Sequence, residues 1–207
     1  MPGRKIVPPL LSVVVLVAGV AGWRAFSRPS FNPDAVGRAE AGMWQSYYGA
    51  NRTQLAVQLV QLLRKQYGLT VIEAKLVGEQ LADAAMTFSS IRDDYDAQIL
   101  PPLTGAYRAL KEVRGLAFDP AAVAQAELAW WVARRTAGED SVENVGAMLA
   151  ELYATMYGEN HPAFAQAGLL RARAAHLRDI GGSDADWTEV ESLLIQSYTV
   201  LAKGMAN

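Results

Sequence analysis

The chain has 207 residues, 51% hydrophobic and 19% charged, with no cysteine and a formal charge of −2. The missing cysteines exclude disulfides, thiolate metal sites and cysteine nucleophiles. Arg4, Lys5, Arg24 and Arg28 precede residue 29, which leaves 15 basic against 21 acidic residues, or −6, for the remainder; that balance argues against nucleic acid as a partner, which asks for a clustered basic face.

Residues 6–26 form an apolar run broken only by Ser12 and Arg24, behind Arg4 and Lys5. About twenty apolar residues suffice for a helix to cross a bilayer core. A cleaved signal peptide shares the basic start, but this run is long, contains Pro8-Pro9 and ends in Trp23-Arg24-Ala25-Phe26 in place of a small-x-small site. The expectation is a single transmembrane anchor over residues 1–28, a tether over 29–33 and an all-helical soluble domain over 34–207. Two basic residues flank each side of the run, so the positive-inside rule is nearly a tie. The short basic tail is the easier end to keep in the cytoplasm, which places the domain on the other side.

Asn32-Pro33 supplies a cap and a first-turn proline for a helix to about Tyr48, carrying Trp44, Tyr47 and Tyr48. Leu55, Leu59, Leu62 and Leu63 mark the next, stopped by Gly68. Thr70-Val71-Ile72-Glu73 is a capping box that opens an alanine-rich helix through about Phe88. The acids of Arg92-Asp93-Asp94-Tyr95-Asp96 begin a fourth helix, which Pro101-Pro102 are expected to break or kink before it ends at Gly115. Asp119-Pro120 starts a fifth, through Trp130-Trp131 to about Gly138. Asp140 or Ser141 opens the sixth, His161-Pro162 the seventh and Ser183-Asp184 the last, which closes at Gly204. No stretch alternates as a half-buried strand would. The fold class is therefore all-α: a transmembrane helix followed by a globular antiparallel bundle of about eight helices.

Catalytic and metal signatures are sparse. Neither His161 nor His176 has the glutamate three positions ahead that a di-iron bundle requires. The acidic stretches at Asp93-Asp94 and Asp184-Ala185-Asp186 lack a calcium loop's central glycine and twelfth-position glutamate, and read as helix N-terminal charge. No nucleophile elbow or phosphate-binding glycine loop occurs. The expectation is no cofactor, no metal and no catalytic residue.

The stretch Glu127 to Arg135 stands out. Adjacent tryptophans on a helix point to different sides, so Trp131 can fill a core while Trp130 faces a second helix, a partner or solvent. Trp130, Arg134, Arg135, Trp44 and Tyr48 are candidates for partner binding, since exposed Trp, Tyr and Arg dominate interface energetics. Glu127, Arg134, Arg171, Arg173, Arg178 and Asp179, with several aromatics, suggest a polar ligand pocket between helices, for which Glu127, Arg134, Arg178 and Asp179 are the leading candidates.

Met43-Trp44-x-x-Tyr47-Tyr48, Gln66-Tyr67-Gly68-Leu69, Phe118-Asp119-Pro120, Glu127-Leu128-x-Trp130-Trp131-x-x-Arg134-Arg135, Leu177-Arg178-Asp179, and Asp186-Trp187 through Leu193-Leu194-x-x-Ser197-Tyr198 together resemble a family of uncharacterised bacterial helical proteins, over about residues 38 to 202. The resemblance implies one helical domain and no particular activity. With the anchor, it leads to the expectation of a single-pass protein of a bacterial inner membrane with its domain in the periplasm. There it would serve as a non-catalytic accessory or scaffold subunit of a membrane complex. The alternative is a small-molecule-binding domain or enzyme built on the pocket around Glu127 and Arg134.

Overall fold

The computed structural model describes residues 26–158 and 161–205. Eight α-helices occur among the described residues: α1 Pro33–Tyr48, α2 Arg52–Tyr67, α3 Val71–Ser90, α4 Tyr95–Arg114, α5 Pro120–Ala133, α6 Val142–Tyr157, α7 Pro162–Gly181 and α8 Trp187–Met205. No strand occurs among them. The expected anchor, residues 6–26, lies outside the described residues except for Phe26. No described helix is long and apolar enough to cross a membrane.

Local chemistry sets the helix ends. Asn32 accepts from the Ala35 amide at 2.9 Å with Pro33 in the first turn. Thr70 and Glu73 satisfy each other's amides, at 2.8 and 3.3 Å. Gly68 and Gly115 stop α2 and α4 in the left-handed conformation, with φ of 62° and 64°, which costs glycine little. His161 acts as a cap, its Nδ1 accepting from Ala163 N at 3.1 Å.

Three boundaries differ from expectation. Pro101 and Pro102 do not break α4, which is continuous through them. The two carbonyls they leave without an amide belong to Ala97 and Gln98, both exposed, where water serves in place of the helix bond. Helix α5 ends at Ala133, short of Gly138, because Arg135 N turns in to Val132 O at 2.9 Å. Helix α8 starts behind Asp186, whose side chain accepts from Thr188 and Glu189, while Gly182–Asp184 forms a separate 3₁₀ turn.

Each helix packs against the next in sequence, and α8 returns to pack against α1. The bundle is therefore a closed ring of helices joined by short turns, the arrangement of antiparallel neighbours. Small residues set the tightest crossings. A Cβ on Gly37 would lie 2.7 Å from Ile195 Cα across the α1–α8 closure, and one on Gly168 would lie 2.4 Å from Gly146 O across α6–α7. The Gly37→Ala substitution is expected to lower stability by about 1–3 kcal/mol through overpacking. Gly42→Ala, whose Cβ would meet only the flexible Gln58 side chain at 3.4 Å, is expected to be neutral or to gain up to about 1 kcal/mol of helix propensity. Urea unfolding of the two variants should give opposite signs; equal effects would mean the ring does not close at Gly37.

Candidate functional site

A ring of helices leaves a middle, and the odd-numbered helices face one another across it. There they line a half-open cavity of about 550 Å³, with Trp44 and Tyr48 of α1, Glu127 and Trp130 of α5, and Arg171 and Arg178 of α7 on its walls and exposed residues such as Asp140 and Ile180 at its mouth. Arg171 and Arg178 lie two helical turns apart and so share one face of α7. Ala172, Ala174 and Ala175 on the same helix are buried, and Ala174 and Ala175 pack with Trp44 and Leu194 of α1 and α8.

Charge in this cavity is held in place by aromatic faces and by pairing. The Glu40 carboxylate has no exposure at all, and Oε1 accepts from Arg171 Nε at 3.0 Å and Nη2 at 2.6 Å. Burial, the largest effect, would weaken the proton affinity of Arg171, but Glu40 together with Tyr153, Tyr198 and Glu127 outweighs it and holds the guanidinium well above its ordinary pKa. The same guanidinium carbon sits 5.0 Å from the centroid of the Trp130 ring, and that of Arg134 sits 5.7 Å from it. Two guanidiniums thus lie within cation–π range of the Trp130 ring, an attractive arrangement for an indole.

At the next level of the cavity, Asp179 Oδ2 accepts from Arg134 at 3.1 and 2.7 Å, and Oδ1 accepts from Arg178 at 3.2 Å. Arg134 Nη2 also donates to the Tyr48 hydroxyl at 3.0 Å, and Arg178 stacks 3.2 Å above the Tyr48 ring. Two guanidiniums therefore share one carboxylate. Both oxygens of Glu127 accept as well, from the Tyr107 hydroxyl at 3.1 Å and from Trp131 Nε1 at 2.9 Å. Burial first, and the Glu127 charge second, push the Tyr107 phenol well above its ordinary range, so it stays a neutral donor.

Of the expected pocket residues, Arg134, Arg178 and Asp179 meet directly and Glu127 lines the same cavity. The expected partner-binding set changes character. Trp130 is only 5% exposed and Trp44 only 6%, so neither offers the free surface of an interface anchor. Helix α5 packs between α4 and α6 and is apolar around most of its girth, which turns a wide arc inward. Trp130 and Trp131 therefore both line the cavity, with their rings perpendicular and 6.3 Å apart. Tyr48 is half-buried beneath Arg178. Arg135 is the exposed member, but the end of α5 carries its guanidinium to the Phe88 carbonyl at 2.5 Å. That carbonyl lies in the last turn of α3, where orphan acceptors and the helix dipole favour a cation.

Glu40 and Tyr107 are the site residues missing from the candidates above. A signal for Glu40 exists: it falls between Val36 and Trp44 at four-residue spacing, a carboxylate inside an apolar stripe. Among the described residues no group of three or more His, Asp or Glu is placed to hold a metal ion. No protein-family model, no curated protein and no solved structure matches this chain, so the reading of the site rests on its geometry.

The Glu40–Arg171 pair makes a sharp stability test. Arg171→Met strands a carboxylate without solvent and is expected to cost about 3–5 kcal/mol. Glu40→Leu combined with Arg171→Met removes both charges and should recover most of that loss in denaturant unfolding. A double variant no more stable than the single one would show that the pair is not the source.

Proposed function

We propose that this chain is a small-molecule-binding domain whose ligand is an organic anion, with its charged end at Arg134 and Arg178 and its body against Trp44 and Trp130. The observation that carries this reading is the pair of guanidiniums sharing the single carboxylate of Asp179. The imbalance is local to Asp179: Arg171 is matched by Glu40, and the other arginines of the lining, Arg134, Arg135 and Arg178, stand with Glu127, Asp140 and Asp179. Two buried donors of lining residues, Trp130 Nε1 and Arg178 Nε, have no acceptor within the protein, and an anion supplies acceptors. The size suits a ligand pocket, commonly ~300–1,000 Å³, and so does the mixture of aromatic walls with a few convergent polar groups.

Arg134→Gln tests the reading without stranding a charge, because Arg178 still faces Asp179. Tryptophan fluorescence of the full chain in detergent should change on titration with benzoate or hexanoate and not with benzylamine or hexylamine. In Arg134→Gln the carboxylate affinity should fall about tenfold or more, the scale of one charge-assisted hydrogen bond. Amines that bind as well as carboxylates would sink the proposal.

A second reading, the accessory subunit of a bacterial inner membrane complex, draws on the other end of the molecule. Residues 6–26 are the proposed span, and Arg28 ties the chain emerging from it to α3 by pairing with Glu73 and donating to Gly68 O at 3.2 Å. Ile72 and Leu76, one turn apart on α3, are 61% and 50% exposed. The docking edge is then α3, not the Trp130 face. Gentle detergent extraction should recover a stoichiometric complex that Ile72→Glu with Leu76→Glu abolishes; a chain that runs alone ends this reading.

A further inference from the structure

The cavity does not end at its aromatic wall. A second cavity of about 140 Å³ lies beyond it, enclosed by leucines and valine of α2–α4, among them Leu59, Leu62, Leu63, Val77, Leu81 and Leu110. Met43, Tyr47, Ala85, Glu127, Trp131 and Arg171 line both, so these six side chains are the partition. The two chambers differ in chemistry. The outer one holds Arg134 and Arg178 on their one carboxylate, whereas the inner one is walled mostly by aliphatic side chains; of the hydroxyls on its wall, those of Tyr67 and Tyr107 are bonded to Met156 and Glu127, and that of Tyr153 has no partner among the described residues. A mostly apolar chamber of ~150 Å³ has room for an apolar group about the size of benzene.

Met43 is a soft member of the partition. Trp131 is fixed by its bond to Glu127 and by its contact with the Phe88 ring, 5.2 Å between centroids, and Arg171 is fixed by Glu40. Ala85 has no side chain to swing. Met43 is half-buried, unbranched, and able to change rotamer without moving the backbone. Building on the anion-binding reading above, we propose that the ligand is an anionic amphiphile, its head at Arg134 and Arg178 and an alkyl tail passing Met43 into the inner chamber. Straight-chain carboxylates are the simplest members of that class.

Titration calorimetry of the full chain with butanoate, hexanoate, octanoate and decanoate tests this. Affinity is expected to rise about fourfold per methylene, the transfer value of a buried CH₂, until the inner chamber is full. Ala82→Phe alters a residue that lines the inner chamber and not the outer one; it should flatten the rise and leave butanoate unchanged. Wild-type chain gives an independent comparison, because adamantane-1-carboxylate is too broad to pass the partition and should bind at least about tenfold more weakly than octanoate, losing the equivalent of two or more buried methylenes. Butanoate binding with no gain from chain length, or a gain that persists in folded Ala82→Phe, overturns the tail and leaves the anion site standing. Binding of none of the carboxylates overturns both.

Discussion

The ion pair between Glu40 and Arg171 is the constraint from which the interior of this protein follows. A carboxylate with no solvent exposure is tolerable only beside a well-placed cation with good hydrogen bonds, and Arg171 supplies both of its bonds to the same oxygen. That fixes α7 against α1 at one height. Because the same guanidinium lies on the Trp130 ring, it also fixes α5. Three helices that are not neighbours in sequence are thereby oriented around one charge. The cavity is the space that remains once their large side chains have been placed.

The ring topology explains why such a cavity persists in an otherwise close-packed protein. Each helix has two neighbours to bury its flanks, and the closure of α8 onto α1 through Gly37 holds the circle at its size. Helices across the ring cannot collapse further without losing those flank contacts. Interiors normally reach crystal-like density, so the middle is filled by the longest side chains available, tryptophan, tyrosine and arginine. Arginine suits this position because its aliphatic stem packs, its plane stacks on aromatic rings, and its charge stays on at any physiological pH.

Much of the fold is legible in the sequence, since the signals are local. Asn32-Pro33, the Thr70–Glu73 box, Gly68, Gly115 and His161-Pro162 act within a few residues of themselves, and the structure uses each as its chemistry dictates. The proline pair leaves α4 unbroken, and whether a proline breaks a helix depends on what its orphaned carbonyls meet, which is a tertiary fact. The site is legible only in part. Arg134, Arg178 and Asp179 attract notice as charges among aromatics, yet Glu40, the partner of Arg171 in the same interior, lies 131 residues before it. Trp130 shows the same limit: a helical wheel separates it from Trp131, but only the packing of α5 on both flanks decides that both faces are interior.

The distribution of charge in the cavity is the last step. Arg171 is matched by a carboxylate of its own, and its role is fully accounted for by structure. Arg134 and Arg178 are not matched in that way, since Asp179 serves both. Burial works against a guanidinium, and the raised proton affinity of Arg134 owes to Tyr48 and Asp179 together, so the protein keeps both cations charged with half the anionic partners that symmetry would ask for. Two cations on one carboxylate, with orphan donors at Trp130 and Arg178 on residues of the same lining, are what support the anion-binding proposal.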